Sequence, residues 1–177
     1  MIYRMISYLI VLFFVFVSQV SFINALPVPW NSISLILPSL FAITILGGYY
    51  QALYWWFGLI LFFYAYLPFL GGAYVLVWLL SIWVIHFFSY RLFINKSFWG
   101  VMGLFILGSL FFELCMRLVY FVCYGVGIFD LDLMPTLKAS LVQIFSTVFL
   151  GAIIFLCWKQ IVKKLGSYFY TYHLDEM

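Results

Sequence analysis

The chain has 177 residues, of which 68% are hydrophobic, 24% aromatic and only 7% charged, with a net charge of +3. Eight basic and five acidic side chains cannot clothe a water-facing domain, since soluble domains are about 25% charged. A soluble globular fold and a basic nucleic-acid-binding surface are both excluded. Apolar runs recur that are long enough to cross about 30 Å of hydrocarbon as helices, and they lack the alternation a membrane β-barrel needs.

The elements predict an all-α integral membrane protein, a single bundle of about six transmembrane helices with both termini cytoplasmic. The first span covers about residues 5–25. The N-terminal stretch MIYRMISYLIVLFFVFVSQV reads as a retained span rather than a signal peptide ending near Asn24-Ala25, because its apolar part is long for a signal. LPVPWNS then breaks the helix with Pro27 and Pro29, and Trp30 suits a membrane interface. The second span, about 33–47, is short and contains Pro38. GGYYQ (Gly47 to Gln51) is an uncharged turn. The third span covers about 52–70 and ends at Pro68 and Gly71-Gly72. The second and third spans also fit a re-entrant pair, with the same ends inside. The fourth span covers about 73–90, and RLFINK (Arg91 to Lys96) is a short basic loop. The fifth, about 97–125, exceeds what a bilayer requires and is expected to tilt or project. VGIFDLDLMPT leads to the sixth span, about 137–162, before Lys163, Lys164 and a mixed tail.

Basic residues set the orientation. With the N-terminus inside, Arg4, Arg91, Lys96, Lys159, Lys163 and Lys164 fall on the cytoplasmic side. Lys138, Asp130 and Asp132 fall outside. The inner basic residues suit anionic lipid headgroups.

Within the spans, LFFELCMRLVY (Leu110 to Tyr120) holds Glu113 and Arg117, an i,i+4 pair in the favourable order. An isolated charge at mid-span costs about 2.5–3.5 kcal/mol on insertion scales. Ser109, Glu113, Arg117, Tyr120 and Tyr124 share one helix face, in the outer half of the fifth span, and should face other helices or a water-filled cavity. Two readings stand. One is a structural ion pair that fixes packing or snorkels to the headgroups. The other is a polar pocket open to the outside, or a contact for a partner's transmembrane helix. Ser140, Gln143, Thr147 and Gly151 form a second stripe, on the sixth span, that reads as close helix packing. So do Ser18 and Gln19, and Gly100, Gly103 and Gly108. Gln143 is also a candidate for the pocket. His86 reads as interfacial, His173 lies in the tail, and Cys115, Cys123 and Cys157 read as packing residues. No metal-ligand spacing, phosphate loop or nucleophile constellation is present in the sequence. The chain therefore reads as non-enzymatic, without cofactor or metal.

The order of features resembles the MreD family of bacterial rod-shape-determining proteins. The resemblance rests on Gln19 before a proline-rich break, the Gly47-Gly48 turn, GLILFFYAYLPFLGGAYVLVWLL (Gly58 to Leu80) and HFFSYRLFINKSFWGVMGLFILGSLFFELC (His86 to Cys115). It departs where the family often carries an acid shortly after the glycine of the third span. Here Gly58 is followed by LILFFYAYL. The resemblance implies a scaffold of the lateral cell-wall machinery in the bacterial inner membrane. Its implied partners are a single-pass MreC-like shape protein, an actin-like filament, and a wall polymerase and transpeptidase. The family is similar in fold to the substrate-binding membrane subunits of energy-coupling-factor vitamin transporters, which implies the rival reading, a solute pocket near the outer face. Such a pocket should recruit polar residues from several spans. Few are evident in the sequence, so the scaffold is the first expectation.

Overall fold

The computed structural model describes residues 12–66, 71–92, 97–127 and 136–170. Expectations resting on Arg4, Pro68, Lys96, Asp130, Asp132 and His173 lie outside these residues. Six helices and no strands occur among the described residues: α1 (Leu12–Ile23), α2 (Ile36–Leu46), α3 (Tyr49–Tyr66), α4 (Gly71–Leu92), α5 (Phe98–Gly125) and α6 (Leu137–Tyr170).

Local chemistry explains each break. The last five residues of α1, Gln19–Ile23, widen into a π-helical turn, closed by the Asn24 amide donating to the Gln19 carbonyl at 3.0 Å. The prolines that follow cannot donate, and the chain makes only a 3₁₀ turn at Trp30–Ser32 before α2. Pro38 does not interrupt α2. It sits in the first turn, where its missing N–H has no intrahelical role. Ser34 instead accepts the Leu37 amide at 3.2 Å. α2 ends where the Gly47 and Gly48 amides both donate to the Ile43 carbonyl, with Gly48 at φ +96°. This is a left-handed cap that glycine adopts without strain. One such residue completes the reversal, so the predicted GGYYQ turn is confined to Gly47-Gly48 and Tyr49 already opens α3. Likewise Gly71-Gly72 belong to the first turn of α4 rather than to a break before it. α6 runs past the predicted end at Val162 to Tyr170, because lysines are good helix formers and do not stop it.

Successive helices run antiparallel. At one end of the bundle, the Tyr49 ring of α3 meets His86 of α4 at a tilt with ring centroids 4.9 Å apart, and Phe98 of α5 meets Phe155 of α6 at 6.1 Å. α2 lies in the middle, against α3, α4, α5 and α6. Leu37, Leu40, Phe41, Ala42 and Ile45 are buried, as expected of a helix that is apolar on every side. Gly108 lets α5 close onto this centre, since a Cβ there would sit 2.8 Å from a Phe41 ring carbon. A Cβ on Gly151 of α6 would fall into the Phe105 ring. Gly103 has open space beside it and Gly100 is buried next to the Ser97 cap. Of that predicted trio, Gly108 marks a close helix approach and Gly103 does not.

The surface is as apolar as the interior. α6 exposes Leu137, Leu141, Phe145, Phe149 and Ile153, one every fourth residue, and α5 exposes Ile106, Leu110, Leu114 and Leu118. Among the described residues, three helices are long and apolar enough to cross a membrane: Gly72–Arg91, Phe98–Gly125 and Leu137–Cys157. α2 is not. Its 11 residues span roughly 16 Å at about 1.5 Å per residue, half the hydrocarbon thickness.

Candidate functional site: a polar cavity at one end of the bundle

Because α2 is short, residues 24–35 cross the end of the bundle as mostly non-helical chain. Unpaired backbone groups there would be costly in an apolar setting, and Gln19 supplies partners for them. It is 8% exposed. Its Nε2 donates to the Ile33 carbonyl at 2.9 Å and to Asn24 Oδ1 at 3.1 Å, while its Oε1 accepts the Leu35 amide at 2.7 Å. The residue expected to pack one helix on another is thus a bracket that ties α1 to the start of α2.

Beneath this segment lies a partly open cavity of about 280 Å³. Its floor is the first turn of α2, Ile36 and Leu37. The 24–35 segment contributes Asn24, Asn31, Ser32 and Ser34. Tyr74 and Trp78 enter from α4, Glu113 and Tyr120 from α5, and Gln143 from α6. The Tyr74 and Tyr120 side chains are hydrogen-bonded to each other, which joins α4 to α5 across the lining.

The predicted stripe on α5 does not act as one unit. Glu113 and Tyr120 line the cavity. Ser109 is buried and donates to its own helix, to the Phe105 and Ile106 carbonyls at 2.8 and 3.0 Å. Tyr124 is exposed. Arg117 turns towards α6, where its Nη2 donates to Ser140 Oγ at 2.9 Å. Its Nε is 4.0 Å from Glu113 Oε2, the outer limit of an ion pair. Glu113 is 7% exposed, and its Oε2 is buried without a hydrogen-bond partner. The expected ion pair is thus present at its outer limit, and the same carboxyl group also lines the cavity. Arg117 and Ser140 stand, with Glu113, at the wall of a second, almost wholly apolar groove of about 540 Å³ between α5 and α6, lined also by Leu110, Leu114, Leu118 and Leu141.

On α6, Thr147 is fully buried and donates to the Gln143 carbonyl at 2.7 Å, a packing role as expected. The Gln143 side chain, one turn earlier, reaches the cavity. His86 lies between Tyr49 and Tyr90 in tilted ring contacts. Cys115 and Cys123 are half-buried and Cys157 is exposed.

No protein-family model, curated protein or solved structure matches this chain.

Among the lining residues that were not anticipated are Asn24, Asn31, Ser32, Ser34, Tyr74 and Trp78. A signal for four of them exists, since the only polar cluster between the first two apolar runs is NSIS with Asn24 before it. Tyr74 and Trp78 lie one turn apart in an apolar helix, where nothing in the sequence separates them from lipid-facing aromatics. Chemically, the lining can donate and accept hydrogen bonds, stack on rings and present one carboxyl group.

Proposed function

We propose that this chain is a multi-pass protein of the bacterial inner membrane that holds a small solute at its outer end. The carrying observation is the cavity itself. Polar side chains from α1, the 24–35 segment, α4, α5 and α6 converge on one space, the recruitment from several helices that a solute site requires. Non-helical backbone at membrane depth is tolerated where it lines an aqueous cavity, and residues 24–35 fit that description.

The orientation follows from the antiparallel order. Arg91 ends α4, and Lys159, Lys163 and Lys164 follow on α6. They gather at the end opposite the cavity, and the positive-inside rule assigns that end to the cytoplasm. Six helical elements then leave both termini inside, with α2 passing only part-way as a buried element. In this reading the chain plays the part of a substrate-binding membrane subunit of the energy-coupling-factor type.

The groove between α5 and α6 favours a second reading. An apolar, leucine-lined channel with Arg117 and Ser140 at its wall suits a partner's transmembrane helix. That is the surface a scaffold of the wall-synthesis machinery would use to hold a single-pass shape protein.

The test is release of the tagged protein from its own membranes in mild detergent. Native mass spectrometry would report bound small molecules, and proteomics would report co-purifying chains. A bound solute, with cassette ATPases and a coupling subunit, supports the first reading. Recovery of a single-pass shape protein and a wall polymerase, with an empty cavity, replaces it with the second.

A further inference from the structure

The cavity has one formal charge in its lining among the described residues, and that charge is negative. No lysine, arginine or histidine lines it. Glu113 is more than nine-tenths buried, and its Oε2 has no hydrogen-bond partner. The Arg117 guanidinium does not line the cavity: its Nε stands 4.0 Å from Oε2 and its Nη2 donates to Ser140, and Arg117 and Glu113 both also line the second groove. A buried carboxylate left this loosely paired is costly, and a cationic ligand would remove that cost on binding.

We infer that the solute carries a positively charged amino group, held by the Glu113 carboxylate and packed against the Tyr74, Trp78 and Tyr120 rings. This deepens the solute-binding reading and rests on it. Three aromatic residues around one acid match the chemistry that attracts an organic cation to ring faces, within about 6 Å of a centroid. A hard metal ion fits the lining less well, since calcium takes about six to eight oxygen ligands and several carboxylates are its usual donors. An anionic solute would face an unscreened like charge. Asn31, Ser32 and Gln143 provide neutral hydrogen-bonding groups for the rest of the molecule.

The experiment compares phenethylamine with the near-isosteric neutral 2-phenylethanol, by equilibrium dialysis against the purified full chain in detergent. The amine is expected to bind at least tenfold more tightly than the alcohol. Glu113→Gln, which keeps the shape, is expected to erase that preference while leaving alcohol binding in place. Asn31→Asp, at an exposed position on the cavity rim, adds a second acid without touching the buried packing and is expected to tighten amine binding several-fold. Equal binding of amine and alcohol, or an amine preference indifferent to both substitutions, overturns the amine assignment and leaves the cavity reading standing. If neither probe binds at millimolar concentration and no small molecule co-purifies, both readings fall together.

Discussion

Replacing Gln19 with leucine keeps the side-chain size close to native and removes three hydrogen bonds at once, to Asn24, Ile33 and Leu35. Asn24 is exposed and its amide can turn to solvent, so that bond contributes little. The other two matter more, because the Ile33 carbonyl and the Leu35 amide belong to the chain itself and cannot turn away. Each lost bond costs about 1 kcal/mol net, and each buried backbone group left unpaired costs about 1–3 kcal/mol. Greater apolar burial by leucine offsets part of this, leaving roughly 2–4 kcal/mol. For a chain of this size about 1 kcal/mol shifts the unfolding midpoint by 2–4 °C, so Gln19→Leu is expected to lower it by roughly 5–15 °C in detergent. Thr44→Val is the matched control. Thr44 is equally buried, but its hydroxyl only donates to Leu40 of its own helix at 2.7 Å, and its loss orphans no backbone group. That variant should move the midpoint by no more than about 4 °C, the effect of about 1 kcal/mol. If the two variants melt together, or Gln19→Leu melts like the parent, the bracket is not what secures residues 24–35.

Three further outcomes follow from the same geometry. Arg117→Leu leaves the buried Glu113 without its nearest countercharge and should lower membrane expression more than Glu113→Leu, which leaves Arg117 its Ser140 partner. The double change should fall between them, at a cost nearer 1–2 than 3–5 kcal/mol, and a double variant as damaging as the worse single would show that charge compensation is not at work. Gly151→Leu drives a side chain into the Phe105 ring and should cost about 1–3 kcal/mol in a detergent melt. Adding Phe105→Ala should recover part of that loss, and strict additivity would show that the two sites do not touch. In a cysteine-free background, Ser32→Cys should react with a membrane-impermeant maleimide in intact cells and Arg91→Cys only after permeabilisation. The reverse pattern would invert the orientation.

Much of the architecture was legible in the sequence because apolar helices leave a blunt record: long apolar runs with prolines and glycines between them. The helix boundaries of α5 came through almost unchanged, with about 97–125 expected and Phe98–Gly125 found. The brevity of α2 was half visible. Its short run and Pro38 were noted, but the run of apolar residues from Ile33 hid the fact that the chain stays mostly non-helical until Ile36. The candidate site was legible in part. Glu113, Tyr120 and Gln143 stood out because polar groups are scarce in such helices. Arg117 stood out for the same reason and yet does not line the cavity, only the second groove that Glu113 also borders. Helical spacing gives the face of a residue on its own helix. It does not say which way a long, flexible side chain swings, and Arg117 swings to Ser140. Gln19 was seen but misjudged, since its partners lie on backbone 14 and 16 residues further along, where no periodicity connects them.

The first turn of α2 is also the bottom of the cavity, so the room available to a solute is measured out in residues of one helix. Each extra turn at the start of α2 would raise that floor by about 5.4 Å and displace the volume beneath residues 24–35, while the three long helices and the lipid-facing shell stayed as they are. Insertions or deletions just before Ile36 therefore offer a way to resize the chamber independently of the wall around it. The cavity's size is thus set at that single joint.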